Sequence, residues 1–412
     1  MNNTFEQLST KEVTQIQKNF LDWYFMNARQ LPWRENRDPY RIWISEIMLQ
    51  QTRVDTVIDY FYRFMQTFPT IKDLANADDE KLLKVWEGLG YYSRARNLKV
   101  AANQIMDEYG GKFPQTPAEI SKLKGIGPYT TGAISSIAFH LPEPAIDGNV
   151  MRVVSRLFLI GEDIAKASSR KVFDQAVRKI IPERHPGEFN QAFMDLGSSI
   201  CTPTSPKCEV CPLSNFCHSK QEGIQEQFPV KTKKAKPKDQ YFVAFALENN
   251  HEAYLLEKRA DGRLLKDMLH FPIVEIEQDE YKNLLKNFSE ERIVAPLFYA
   301  QPTLFDEEML VAEHQTGYTL LPPSQAIQTL FLRSKLPFQQ TKISWYPAHL
   351  GEVTHIFTHL KWHILLFEGK LMESDAKDDF YTMQQMKELP LPKMQHKLLM
   401  NLKKMHKLHK DF

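Results

Sequence analysis

From Lys11 to about Lys220, apolar side chains recur at three- and four-residue spacing, as in Val13, Ile16, Phe20 and Trp23, and again in Val150, Val153, Val154 and Leu157. That period lines one stripe of an α-helix. Turn-forming clusters interrupt it at Arg37-Asp38-Pro39, Gly88-Leu89-Gly90, Gly110-Gly111, Pro142-Glu143-Pro144 and Asp147-Gly148. Many helices on short connections predict an all-α region. The period then changes. Tyr241–Leu247 and Ala253–Glu257 read as strands around the turn Glu248-Asn249-Asn250-His251, and Val353–Phe357 with Trp362–Phe367 as a second pair. Helical patterns at Ser324–Phe331 and His396–Met405 complete an α+β unit. Between the two regions, Lys231, Lys233, Lys234, Lys236 and Lys238 surround Pro237 with no large apolar side chain. Such a stretch is a linker, either a solvated tether or a phosphate contact. The chain is therefore multidomain: helical over 1–222, a basic linker over 223–239, and α+β over 240–412.

Composition adds bounds. A chain of 412 residues with 42% apolar content can fill two or three cores. No apolar run approaches the ~20 residues of a membrane span, and the polar, amphipathic stretch Met1–Gln30 shows no apolar run followed by a small-residue cleavage site. A cytoplasmic protein without a membrane partner is expected, as a monomer. The net charge of +1 leaves a nucleic-acid partner to be argued from local features.

The four cysteines fall together as Cys201-x6-Cys208-x2-Cys211-x5-Cys217. Four close thiolates can enclose a soft metal centre, either zinc or an iron–sulfur cluster. Structural zinc sites usually pair their ligands as two close couples, unlike this spacing. Two disulfides would suit a small secreted scaffold rather than this chain.

Three further segments carry candidate chemistry. Leu123-Lys124-Gly125-Ile126-Gly127-Pro128-Tyr129 stands between two helical patterns. Glycines two residues apart permit a tight turn with bare N–H groups at a helix start, an anion nest, although a lone GxG is usually only a turn. Glu46 is the single carboxylate in the apolar run Ile42–Thr52. It is either solvent-facing or functional, and an apolar setting would keep it protonated near neutral pH, as a general acid requires. Asp147-Gly148-Asn149-Val150 reads locally as a turn, with Asn149 capping the next helix.

Taken together, Leu31-Pro32-Trp33-Arg34, the Trp43–Thr52 run, Gly88-Leu89-Gly90-Tyr91-Tyr92-Ser93-Arg94-Ala95-Arg96-Asn97, the Gly125/Gly127 hairpin, Asp147-Gly148-Asn149-Val150 and the cysteine loop occur in the order found in the MutY-type adenine DNA glycosylases. These belong to the endonuclease III, or helix-hairpin-helix, superfamily, and the resemblance covers roughly residues 15–220. It implies a base-excision repair enzyme that flips adenine mispaired with 8-oxoguanine or guanine out of double-stranded DNA and hydrolyses its N-glycosidic bond. Glu46 and Asp147 match the catalytic acid and the carboxylate beneath the sugar, a logic akin to glycoside hydrolysis. Tyr129 and Asn149 match residues that position them. Arg29, Trp33, Arg34 and Gln191 map to the adenine pocket, Gln51 and Tyr91 to residues that wedge into the stack and hold the duplex open, and Thr52 belongs to the same DNA-binding set. Gly125 and Gly127 match the DNA-binding hairpin, and Cys201, Cys208, Cys211 and Cys217 the ligands of a [4Fe-4S] cluster. In relatives that also cleave the strand, a lysine stands two residues after the second glycine. Here that position is Tyr129, which implies a monofunctional enzyme. The C-terminal region resembles the MutT-like (Nudix-fold) domain that senses 8-oxoguanine, without the acidic box needed to hold magnesium. Phe357-Thr358-His359 lies where the family carries a Phe-Ser-His loop. The stretch from about Ala300 to Lys342 is longer than the family pattern suggests.

Overall fold

The structure, a computed structural model, describes residues 4–232, 236–258, 264–265, 268–288, 323–334, 342–372 and 379–408. Most of the long stretch from Ala300 to Lys342, and Lys233 and Lys234 of the linker, lie outside these residues. Chain contacts divide the molecule into two units, Met1–Lys234 and Ala235–Phe412.

The first unit is helical: α1 (Thr10–Asn27), α2 (Pro39–Leu49), α3 (Val54–Thr67), α4 (Ile71–Ala75), α5 (Asp79–Trp86), α6 (Ser93–Tyr109), α7 (Pro117–Ile120), α8 (Pro128–Phe139), α9 (Gly148–Phe158), α10 (Arg170–Ile180), α11 (Pro186–Ser199) and α12 (His218–Gln221). Local chemistry sets their ends. Ser9 and Glu12 form a reciprocal capping box at the start of α1. Pro39 opens α2 behind an Asp38 cap, and Gly110 closes α6 in the left-handed conformation. Ile16 and Phe20 of α1 are fully buried with Val150, Val154 and Leu157 of α9 and Phe189 and Phe193 of α11 in one core. The Phe20, Phe189 and Phe193 rings meet edge to face at 4.8–5.3 Å.

The linker begins tethered rather than free. Val230 accepts a hydrogen bond from the Ile164 N–H, and Thr232 donates to the Asp163 carboxylate. Its last two residues, Lys238 and Asp239, already belong to the first strand.

The second unit holds a mixed sheet, seven-stranded among the described residues, of β1 (Lys238–Glu248), β2 (Ala253–Leu255), β5 (Ile273–Ile276), β6 (Ile343–Trp345), β7 (Glu352–Ile356), β8 (Leu360–Leu371) and β9 (Phe380–Thr382). β1 and β8 are central and parallel, in register from Lys238↔Leu360 to Glu248↔Lys370. Because successive side chains alternate sides, Phe242, Ala244 and Ala246 face one core and Val243, Phe245 and Leu247 the other. Both faces are covered, so β1 reads as a continuous apolar run. α13 (Gln278–Asn287) and α14 (Pro323–Leu332) cover one face, and α15 (Lys393–Leu408) the other. This is the α+β architecture expected for a MutT-like domain. The strand predicted over Ala253–Glu257 is broken at Leu256: Glu257–Lys258 (β3) leaves the main sheet to pair with Leu269–His270 (β4). Among the described residues no helix is long and apolar enough to cross a membrane.

Candidate active site

α2 buries nearly its whole circumference: Ile42, Trp43, Ile44, Ser45, Ile47 and Met48 are all inaccessible, and so is Glu46, at 4% exposed. The solvent-facing alternative for this carboxylate is thereby excluded. Its partner comes from α8, whose first turn follows the glycine hairpin: the Tyr129 hydroxyl donates to Glu46 Oε2 at 2.6 Å. Burial pushes the Glu46 carboxyl up to about 7, and the neighbouring Asp147 charge adds to the rise, against the hydrogen bond from Tyr129 and the Arg34 charge. Burial beside these carboxylates raises the Tyr129 phenol well above its ordinary value, so it stays a donor.

Asp147, not Asn149, caps α9. Its Oδ1 accepts from the Val150 N–H at 2.7 Å, and the helix starts at Gly148. Asn149 lies inside the first turn and donates through Nδ2 to Asp147 Oδ2 at 3.0 Å. Arg152 in turn donates to Asn149 Oδ1 at 2.8 Å and to the Gly197 carbonyl, which fixes the amide orientation. Burial raises the Asp147 carboxyl despite these N–H donors. The close approach of α8 to this segment depends on Gly132, where a Cβ would stand 2.0 Å from the Pro144 carbonyl oxygen.

One cavity of about 710 Å³ gathers these groups. It is lined by Arg29, Trp33, Arg34, Glu46, Gln51, Thr52, Gly125, Gly127, Tyr129, Asp147, Asn149 and Gln191. Every site residue proposed for the helical region outside the cysteine loop lies there, except Tyr91. Trp33 both lines the cavity and packs, 5% exposed, edge-on against Phe61. Tyr91 is 46% exposed and donates to Gln51 Oε1 at 2.6 Å. Both residues hold φ near +50° to +60°, Gln51 at 59° and Tyr91 at 48°, a region that non-glycine residues occupy only where the surroundings hold them. The two hairpin glycines differ. Gly125 needs its φ of +81° and its lack of a Cβ, which would meet Asn97 at 2.8 Å, whereas Gly127 has an ordinary φ of −97° and open space where a Cβ would be.

Asp195 escaped the sequence reading. Almost fully buried on α11, it accepts from Nη1 and Nη2 of Arg34, at 2.8 and 3.1 Å, and from Arg29 Nε at 2.7 Å. Burial opposes its charge, but the two guanidinium groups outweigh that and hold it below the usual carboxylate range. Both pocket arginines are thereby fixed. The only local signal is one acid within the apolar stripe of α11.

After α11 the four cysteines sit on short turns and line a second, small cavity. Leu213, 2% exposed, anchors the loop in the helical core, where Cys201, Cys211 and Cys217 also pack. The buried Arg156 donates to Cys201 Sγ at 3.3 Å and to the Thr202, Pro203, Gln225 and Phe228 carbonyls. Burial raises the Cys201, Cys208 and Cys211 thiols, the last to about 12, so a bound cation must draw off their protons. Among the described residues no three His, Cys, Asp or Glu side chains are grouped closely enough to grip a single metal ion. In the second unit, Phe357, Thr358 and His359 form the turn between β7 and β8. Thr358 and His359 are exposed, while Phe357 packs against Trp362 with ring centroids 4.8 Å apart.

Residues 44–182 match the HhH-GPD superfamily of base excision DNA repair proteins, and residues 201–217 the iron-sulfur binding domain of endonuclease III. The chain is 33% identical to the adenine DNA glycosylase of Rattus norvegicus over 85% of its own length and 69% of the relative's. The chain belongs to the adenine DNA glycosylases. The Homo sapiens adenine DNA glycosylase is 34% identical, over 85% of this chain and 66% of that one. A solved thermostable thymine-DNA glycosylase superposes with a TM-score of 0.46 at 28% identity, over 52% of this chain and 98% of its own. As an adenine DNA glycosylase this chain is a base-excision repair enzyme, and its cysteine loop is an iron–sulfur binding domain of the endonuclease III type.

Proposed function

We propose that this glycosylase is monofunctional: it removes adenine mispaired with 8-oxoguanine or guanine from double-stranded DNA by hydrolysis, leaving an intact strand with an abasic site. The observation that carries this is Glu46, a buried carboxyl held near pKa 7 on the wall that also bears Asp147. Adenine leaves a deoxyribose readily only once its ring nitrogen is protonated, and the sugar then becomes cationic. Glu46, protonated near neutral pH, supplies the proton, and the Asp147 carboxylate faces the developing positive charge. Tyr129 and Asn149 fix the two carboxyl groups. Arg29, Arg34, Trp33 and Gln191 form the wall against which a flipped adenine would lie, Gln51 and Tyr91 are the contacts that open the stack, and Thr52 lines the same cavity on the DNA-binding side. Gly125 and Gly127 admit a phosphate, and the open space at Gly127 favours such an approach. Among the described residues, none that lines the cavity is a lysine. Lys122 and Lys124 are exposed outside it, so water rather than an amine takes the sugar carbon.

Cys201, Cys208, Cys211 and Cys217 would hold a [4Fe-4S] cluster. The residues fit: four cysteines lining one small cavity, with a guanidinium donating to one sulfur, suit a group whose four irons each take one thiolate. Bound there, the cluster would shape the loop, and no step above draws electrons from it. Phe357, Thr358 and His359 are assigned to the base opposite adenine, Thr358 keeping the hydroxyl of the family's serine and adding a methyl.

The test is single-turnover excision from a duplex with one A:8-oxoguanine pair, with Glu46→Gln as control. Wild-type excision without strand cleavage, abolished by Glu46→Gln, is expected. Efficient borohydride capture of the DNA through an amine in the pocket would establish a lyase instead.

A further inference from the structure

Arg94 is a buried charge that the chemistry above leaves unused. It is 8% exposed in the first turn of α6, and no carboxylate among the described residues pairs with it. Among the described residues, all its hydrogen bonds but one go to backbone carbonyls. Nη1 donates to the carbonyls of Ile47, Met48 and Gln50 at 2.7, 3.0 and 2.8 Å. Nη2 donates to those of Leu89 and Gly90, each at 3.1 Å, and reaches Thr52 Oγ1 at 3.5 Å. The guanidinium also lies over the Tyr91 and Trp86 rings, 5.6 and 5.3 Å from their centroids. Burial draws this side chain's pKa down to about 10, still protonated at neutral pH.

Burying a cation without a counter-charge costs stability, and an apolar side chain of similar volume would often serve the fold as well. A planar fork with several fixed donors is what two converging sets of carbonyls require, and only arginine supplies it. The two sets belong to the segments that carry Gln51 and Tyr91. Those two residues, both left-handed and joined by their 2.6 Å hydrogen bond, hold a backbone conformation that needs outside support. The first set is also the C-terminal end of α2, one turn beyond Glu46, where the helix dipole favours a cation.

We infer that Arg94 is the positioning residue of the strand-opening step: it locks the Gln51 and Tyr91 segments to each other and to the end of α2, so that the pair enters the base stack as one rigid wedge. This rests on the proposed role of Gln51 and Tyr91 in opening the duplex. Loss of Arg94 slows the extrusion of adenine and leaves the bond-breaking groups intact.

The experiment compares single-turnover excision of adenine from a stacked A:G duplex with excision from an unpaired loop, where little stacking must be undone. In Arg94→Gln the stacked substrate should lose about 100-fold and the loop substrate under about fivefold, the scale of misplaced rather than missing catalytic groups. Arg94→Lys, which keeps the charge but not the fork, should fall between. 2-Aminopurine beside the target adenine should brighten on binding to wild type and stay dark with Arg94→Gln. The pH at which the rate is half-maximal should not move, because Arg94 does not touch Glu46. Equal losses on both substrates, or full activity of a folded Arg94→Gln on the stacked duplex, would overturn the assignment. Should Arg94→Gln not fold, Arg94→Lys carries the same comparison. A wild-type enzyme inactive on both substrates would instead overturn the functional reading.

Discussion

A carboxyl held near pKa 7 links the proposed chemistry to folding at Glu46. In an unfolded chain it titrates near 4.5, so between about pH 4.5 and 7 the native state binds the extra proton. Stability from this residue is therefore greatest below pH 4.5 and declines as pH rises to about 7, by a total on the order of 3 kcal/mol. Excision should fall tenfold per pH unit above about 7, as the acid form is lost. Glu46→Gln should abolish excision, yet melt higher than wild type at pH 8 and close to it at pH 4.5; thermal melts at the two pH values check the sign. Asp195 makes a second residue-scale case. Asp195→Asn leaves Arg34 and Arg29 without their counter-charge and should cost about 3 kcal/mol, less than a fully buried pair because Arg29 is one-third exposed. An unchanged urea midpoint would show that the arginines find other partners.

Among the elements, the β7–β8 turn places three consecutive side chains in two environments that its sequence runs together. Phe357 packs into the core beside Trp362, whereas Thr358 and His359 face outward. Replacing Thr358 and His359 by Ala should leave stability within about 0.5 kcal/mol and reduce excision of A:8-oxoguanine more than of A:G. Phe357→Ala, at a residue that shares the proposed contact and also packs inward, should in addition lower the melting of the C-terminal unit. Equal loss on both mispairs in the Thr358/His359 double variant would make the turn structural. In the cysteine loop, Cys211→Ser should lower iron content and destabilise the helical unit, since ligand energy is folding energy there. Protein that purifies colourless with stoichiometric zinc would overturn the cluster.

Taken whole, the molecule has two units, each with its own apolar interior. Two calorimetric transitions are expected, with iron removal shifting only one; a single transition moved as a whole by iron loss would show energetic coupling between them. Much of this organisation follows from residues near one another in the chain. The cysteine spacing, the switch from helical to strand period and the lone Glu46 in an apolar run were all legible, because each is a local pattern whose chemistry does not depend on what folds against it. Local pattern misjudged Asp147, since Asp and Asn are equally good caps and only the built helix shows which one receives the Val150 N–H. The partners of the charges were not legible at all. Arg34 meets an aspartate 161 residues away, and Arg94 meets carbonyls 44–47 residues back on another helix. Backbone carbonyls are present at every position and so leave no mark in a sequence. Which of them converge on one guanidinium is decided only when the helices pack, and the same packing decides that Glu46 is dry enough to keep its proton.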